Sequence, residues 1–249
     1  MCGRFAMTTD PARLAAELDA VNETGLSAAP PNFNVAPTTD IAAVVARHDQ
    51  PGDPDGQAIR RVRLMRWGLL PSWVKADADG RPISKALLIN ARADKVTSSP
   101  AFRSAAGHKR CLIPMDGYYE WMPAENPKGR KTPFYLHRAD GRLLLVAGLW
   151  SAWRAGASSE SILTCAIITT DAVDQLGRIH DRMPLPIAEA DWDRWLDPDR
   201  AAPADLLAAR PDISGIEIRE VSTLVNSVRN NGPELIAPAG SGNQPVGLF

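Results

Sequence analysis

The first residues with chemical potential are Met1-Cys2-Gly3-Arg4-Phe5. Removing the initiator methionine, which a small second side chain favours, would leave Cys2 with a free α-amine beside its own thiol. Such a 1,2-aminothiol condenses with an aldehyde to an imine, which the thiol then closes into a five-membered thiazolidine. The amine (reference pKa about 7.7–8.0) and the thiol (about 8.5) both keep nucleophilic fractions near neutrality. The competing reading is a small apolar side chain buried near the start of a strand.

Three further segments each supply a different polar tool. Leu88-Ile89-Asn90-Ala91-Arg92 offers an amide that can orient a substrate oxygen and a guanidinium that can clamp a phosphate; a turn or cap is the plainer role for Asn90. Gly117-Tyr118-Tyr119-Glu120-Trp121 sets a carboxylate among aromatics, where desolvation raises its pKa toward that of a useful proton donor. A surface-facing Glu120 is the alternative. Ile179-His180-Asp181-Arg182-Met183-Pro184 holds a histidine in a dense polar cluster, able to exchange protons near neutrality or simply to cap a helix. His48, His108 and His137 lie in polar stretches and receive no function. Cys2, Cys111 and Cys165 show neither paired count nor CxxC spacing, so no structural zinc is expected.

These side chains need a scaffold, and 249 residues at 45% hydrophobic content can bury one core. One domain is expected. The chain has no run of 18 apolar residues and no basic-then-apolar leader, so the expectation is a soluble intracellular protein without a membrane span. Apolar and β-branched runs predict strands over 41–46, 62–67, 134–137, 143–147 and 162–169. Helical spacing marks 11–21 and 187–196. Loops are predicted at 50–57, 124–131 and 155–159. Helices and strands do not alternate and there is no Gly-rich phosphate loop, which disfavours a Rossmann or P-loop architecture and leaves an α+β class. The net charge of −1 hides an asymmetry. Residues 60–131 carry 15 Lys plus Arg against 6 Asp plus Glu, and residues 171–225 carry 6 against 12. The basic run, with Arg60, Arg61, Arg63, Arg66, Arg92, Lys95, Arg103, Lys109 and Arg110, is either a phosphate-attracting groove or a solvated surface.

Read together, the segments resemble the SOS response-associated peptidase (SRAP) family. The resemblance rests on the N-terminal motif, Asn34-Val35-Ala36-Pro37, Trp67-Gly68-Leu69, Ile89-Asn90-Ala91-Arg92-Ala93, Gly117-Tyr118-Tyr119-Glu120-Trp121 and Ile179-His180-Asp181-Arg182-Met183-Pro184, with Val225-Asn226 and Glu234-Leu235-Ile236 beyond them. It implies a single compact α+β domain over 1–237 with twisted, partly barrel-like β-sheets and peripheral helices. A flexible tail is expected over 238–249. It also implies a basic channel for single-stranded DNA and covalent capture of an abasic site, through Cys2, Asn90, Glu120 and His180. In that scheme Glu120 donates the proton that opens the sugar, His180 assists, Asn90 positions Cys2, and the Cys2 amine and then thiol attack C1′, with lyase activity a further possibility. Arg4, Asn34, Pro37, Trp73, Arg92 and Thr169 match DNA-contacting positions. Asp94 departs from the pattern, since relatives often carry Glu there. No metal or cofactor is implied. The expected partner is abasic single-stranded DNA at 3′ junctions, met by a cytoplasmic, DNA-associated monomer. The alternatives are a thiol autopeptidase or hydrolase using Cys2, and a noncovalent single-stranded DNA-binding module.

Overall fold

The computed structural model describes residues 2–26, 28–49, 56–84, 86–126, 129–156 and 159–240. The elements run β1 (Phe5–Met7), α1 (Pro11–Glu17), β2 (Val21–Asn22), β3 (Asn32–Val35), β4 (Asp40–Arg47), β5 (Ile59–Trp67), β6 (Asn90–Arg92) and α2 (Arg103–His108). Then follow β7 (Arg110–Met115), β8 (Gly117–Met122), β9 (Thr132–Arg138), β10 (Leu144–Trp153), β11 (Ile162–Asp171), β12 (Arg182–Pro184), α3 (Trp192–Leu196), α4 (Ala204–Ala208) and β13 (Ile216–Glu220).

Strands β11, β10, β7, β4 and β5 pair in that order, and β5 returns to β11 through Arg66–Thr164 and Trp67–Cys165, closing a five-stranded barrel. Only this seam is parallel within the ring. A second, five-stranded sheet has the order β13-β9-β8-β1-β3. The α+β class and the partly barrel-like sheets expected from the sequence are therefore present, with short helices on the periphery.

Barrel strands are buried on both faces, which is why they read as continuous apolar runs rather than as clean alternation. Cys111, Ile113, Cys165, Ile167, Ala43 and Val45 belong to a cluster that also holds Cys2, Phe5 and Tyr118 of the second sheet region. Their neighbours Leu112, Ala166, Ile168, Val44 and Ala46 face the other way, against Leu14 of α1, Ala105 of α2 and Trp195 of α3. The period of two thus sorts one strand's residues between two cores.

The barrel seam positions the chemistry. At Gly68 the chain leaves the edge of β11: φ is +134°, its N–H donates to Cys165 O at 2.8 Å, and a Cβ there would meet Leu87 at 2.7 Å. The chain comes back as β6 and pairs in parallel with the same edge further along, Asn90 opposite Ile167 and Arg92 opposite Thr169. One excursion therefore delivers Asn90 and Arg92 to the upper end of β11.

Both helix expectations shorten. The helix at 11–21 ends at Glu17, because Asp19 adopts φ +48° and Val21–Asn22 joins the sheet beside β5. Within 187–196 only Trp192–Leu196 is α-helical, after a 3₁₀ turn at Glu189–Asp191. The predicted strands are all present, most of them longer. The loop predicted at 50–57 lies outside the described residues over 50–55, as do 127–128 and 157–158 of the other two. So do 241–249 of the expected tail; before them, Pro238 bridges Val221 and the Ala239 N–H donates to Glu220 O at 2.9 Å. No helix among the described residues is long and apolar enough to cross a membrane.

The basic run does not form one surface. Arg60 pairs with Asp193, and Arg61 and Arg63 share Glu23. Arg110 is buried and donates to the carbonyls of Ala106, Gly107, Trp195, Asp197 and Arg200, tying α2 and α3 to the barrel. Much of the charge counted in sequence is spent inside the fold.

Candidate functional site

Cys2 is fully buried at the junction of the two sheets. Phe5 packs its ring 5.2 Å from Trp67, and the Trp67 indole donates to Ile89 O at 2.9 Å, so one aromatic pair couples the N-terminal strand to the segment leading into Asn90. Asn90 Nδ2 then donates to Cys2 O at 2.9 Å. Its Oδ1 is buried with no hydrogen-bond donor among the described residues. An unsatisfied buried acceptor costs about 1–3 kcal/mol, so the amide holds Cys2 with one end and keeps the other for a donor.

Glu120 reaches the same place through strand geometry. β1 lies against β8 with Phe5 opposite Tyr118, and the Tyr119 N–H donates to Arg4 O at 2.9 Å. Tyr118 and Glu120 share one face of β8 by the period of two, and both feel the Cys2 thiol electrostatically. Tyr119 takes the other face, its hydroxyl donating to Phe33 O at 2.7 Å. Glu120 is 4% exposed. Burial raises its carboxyl to about 7, by disfavouring the charged form. Burial likewise pushes the Cys2 thiol well above its usual value, and the neighbouring Glu120 charge adds to the shift. This thiol rests protonated.

His180 follows a 3₁₀ turn, Asp174–Arg178, and its Nδ1 accepts the Arg182 N–H at 3.0 Å with Asp181 Oδ1 at 2.8 Å. Burial lowers its pKa. The neutral imidazole is thereby favoured, and its Nδ1 lies between the Arg182 N–H and the Asp181 carboxylate. His180 and Glu120 line a cleft of about 600 Å³ with Arg4, Trp121, Arg130, Lys131 and Asn226. A larger cavity of about 870 Å³, lined by residues such as Asp116, Arg138 and Trp192, contains none of the four proposed reactive residues. The smaller cleft, lined by Glu120 and His180, is the candidate site.

The other sequence-derived positions separate into framework and surface. Asn34 is 4% exposed; its Oδ1 accepts from Arg4 Nη1 at 2.7 Å and its Nδ2 faces the carbonyls of Val225, Ser227 and Asn230 at 3.0–3.3 Å. Arg4 also donates to Val225 O at 3.0 Å and lies 5.8 Å from the Trp121 ring centroid. It is a half-buried cation on the cleft wall, held by Asn34. Arg92 is exposed and forks onto Asp94 with two contacts of 3.0 Å, so the shorter acidic side chain at 94 engages it directly. Thr169 is buried beside Arg182, which donates to its carbonyl at 2.6 Å. Pro37 precedes Thr38, whose φ of +73° is strained for a β-branched residue. Trp73 is 66% exposed, so it is not a core aromatic. Sequence reasoning missed Arg130, Lys131 and Asn226 as cleft residues. The first two lay in a predicted loop, and nothing in their spacing showed that the β8–β9 hairpin would turn them toward Glu120. Among the described residues no cluster of His, Cys, Asp and Glu could hold a metal.

Comparison with known proteins bears on this geometry. The family model described as "SOS response associated peptidase (SRAP)" matches residues 1–228. "Abasic site processing protein YoaM" of Bacillus subtilis is 34% identical over 238 residues, covering 95% of this chain and 97% of its own. "Abasic site processing protein HMCES" of Gallus gallus is 30% identical over 268 residues, covering 96% of this chain and 78% of its own. A crystal structure of a protein from Bacteroides thetaiotaomicron superposes with a TM-score of 0.78 at 23% identity, covering 96% of this chain and all of the other, which shows a shared fold.

Proposed function

The chain belongs to the SOS response-associated peptidase (SRAP) family, and on that premise we propose that it captures abasic sites in single-stranded DNA as a covalent thiazolidine on Cys2. The observation that carries this reading is the placement of Asn90 on the Cys2 carbonyl and of Glu120 beside the Cys2 thiol, with Glu120 and His180 lining one cleft. The abasic-site processing for which its relatives are named supports the same substrate class.

Removal of Met1, which lies outside the described residues, creates the α-amine. Asn90 Oδ1, the buried acceptor in want of a donor, takes a hydrogen bond from that amine. This positions it for attack, the main contribution an enzyme makes to a two-reactant step. A Glu120 carboxyl near pKa 7 is half protonated at neutrality; it gives its proton to the ring oxygen as the sugar opens. His180 assists the opened sugar by exchanging a proton with the freed hydroxyl. The amine nitrogen bonds to C1′ and water leaves, giving an imine. The neutral Cys2 thiol adds sulfur to the same carbon while its proton passes to nitrogen, and the product is protein plus DNA less one water. The intermediate imine would also acidify C2′ and permit lyase cleavage, which ring closure prevents.

Arg4, Arg130 and Lys131 serve the phosphates of the strand, and the exposed Trp73 a base or junction. A DNA-associated location in the cytoplasm and action as a monomer at 3′ junctions complete the proposal. The test is incubation of methionine-processed protein with a single-stranded oligonucleotide bearing one abasic site, read by denaturing gel and intact mass. A covalent adduct of the stated mass is expected. Absence of any adduct while the aldehyde is intact would overturn the proposal. Cys2→Ser should leave only a hydride-reducible imine, and complexes that survive denaturation without reduction in that variant would exclude the thiazolidine.

A further inference from the structure

At the other end of the barrel strands, two cations share one aromatic ring. The Arg47 guanidinium lies 4.7 Å from the Trp150 ring centroid and Lys109 Nζ lies 5.5 Å from the same centroid. Both side chains are half-buried. Arg47 spends one N–H on His108 O at 2.8 Å. No carboxylate pairs with either cation among the described residues. Asp199 is the acid nearest in effect on Arg47, and it is engaged by His48 at 2.8 Å. Arg63 adds a like charge to Arg47, and Glu23, which bridges Arg61 and Arg63, is already committed. The ring itself carries a third donor: Trp150 is 8% exposed and its indole N–H is buried with no acceptor among the described residues.

Such an arrangement is unfavourable by itself. Two cations placed together over one ring repel, and burial removes the water that would screen them. Burial and Arg47 both lower the pKa of Lys109, and burial and Arg63 lower that of Arg47. A cation–π contact compensates only partly. What is missing is one compact anion with several acceptor oxygens. A carboxylate satisfies a single guanidinium fork well, but a guanidinium, an ammonium and an indole N–H call for oxygens pointing in several directions, the geometry of a phosphate.

We propose that Arg47, Lys109 and Trp150 form a second anion site that takes a phosphate group, at the end of β4 opposite Asp40. Arg47 ends β4, seven strand steps or roughly 23 Å along the strand from Asp40. β7 likewise starts beside Lys109 and ends toward Gly117 and Glu120. None of the three residues lines the cleft of Glu120 and His180. Its phosphate comes either from the backbone of a bound nucleic-acid strand or from a free phosphate.

The experiment follows the Arg47 Nε–H and Trp150 Nε1–H signals of the ¹⁵N-labelled protein by NMR. One arm titrates inorganic phosphate against chloride at equal ionic strength. A second arm uses an oligothymidylate without an abasic site. Saturable shifts of both signals with phosphate are expected. Shifts in the oligonucleotide arm as well identify a strand backbone as an occupant, and shifts with phosphate alone identify a free phosphate group. No saturable shift in either arm overturns the proposal. Lys109→Gln, which removes one charge-assisted hydrogen bond, should weaken phosphate binding about 10-fold, Lys109→Arg should retain it, and both should form the Cys2 adduct at the normal rate. Equal phosphate affinity in Lys109→Gln and the parent protein would also overturn the site, since the shifts would then be nonspecific.

Discussion

Glu120 concentrates the residue-scale physics. Its carboxyl is raised from 4.5 to about 7 by burial. An acid whose folded pKa lies above its unfolded one contributes nothing to the pH dependence of stability below the unfolded value, where both states are protonated. Stability then falls as pH rises from about 4.5 to about 7 and levels off above. Glu120→Gln removes that penalty. The variant should unfold in denaturant like the parent near pH 4 and be more stable at pH 8, by at most about 3 kcal/mol on the scale of 1.36 kcal/mol per pKa unit. Adduct formation should move oppositely. Glu120→Gln is expected to slow capture of a natural abasic site about 10²-fold, with much of the rate recovered on a pre-opened aldehyde. Equal slowing on both substrates would transfer Glu120 from ring opening to imine formation.

At the scale of elements, β3 ties the N-terminal strand to the 225–230 segment beside the cleft. Asn34 accepts from Arg4 and reaches three carbonyls of the 225–230 segment, which also carries Asn226, the acceptor of the Trp121 indole at 2.7 Å. Asn34→Ala strands several buried partners at once and should destabilise by about 2–4 kcal/mol in chemical denaturation. It should also weaken DNA capture through the released Arg4, with Arg4 itself unchanged. Thr38 makes the opposite case. A β-branched residue at φ +73° carries a local strain, so Thr38→Gly should raise stability by about 1 kcal/mol. A drop in stability instead would mean that the side chain makes an interaction outweighing the strain.

Across the whole molecule, charge balance says little until the fold assigns each side chain. Arg110 and Arg60 are counted in the basic run, yet one is buried among carbonyls and the other is paired with Asp193. Arg130 and Lys131 face the cleft. Replacing both with Gln should reduce the salt dependence of single-stranded DNA binding by roughly 0.7 for each phosphate no longer neutralised, measured as the slope of log affinity against log salt. Arg92→Gln should change that slope less, because Asp94 already occupies its guanidinium. An equal or larger effect at Arg92 would show that DNA displaces Asp94 from it.

The sequence by itself determined the reactive types and the class of scaffold. A cysteine at position 2, a glutamate inside an aromatic strand and apolar runs too continuous for one-sided sheets were all legible, since strand periodicity and side-chain chemistry are local properties. Helix lengths at 11–21 and 187–196 were less so, because apolar spacing cannot show where Asp19 turns the chain or where a 3₁₀ turn replaces the α-helix. Only the tertiary structure closed β5 onto β11, sent the Gly68–Asn90 excursion back to that same edge, and set Asn90 on the carbonyl of Cys2. The same holds for the partners of Arg4, Arg92 and Arg110, and for the two cations over Trp150. Their roles depend on which oppositely charged or carbonyl group arrives from elsewhere in the chain, and on how much water burial removes, and neither quantity is a property of the residue or of its neighbours in sequence.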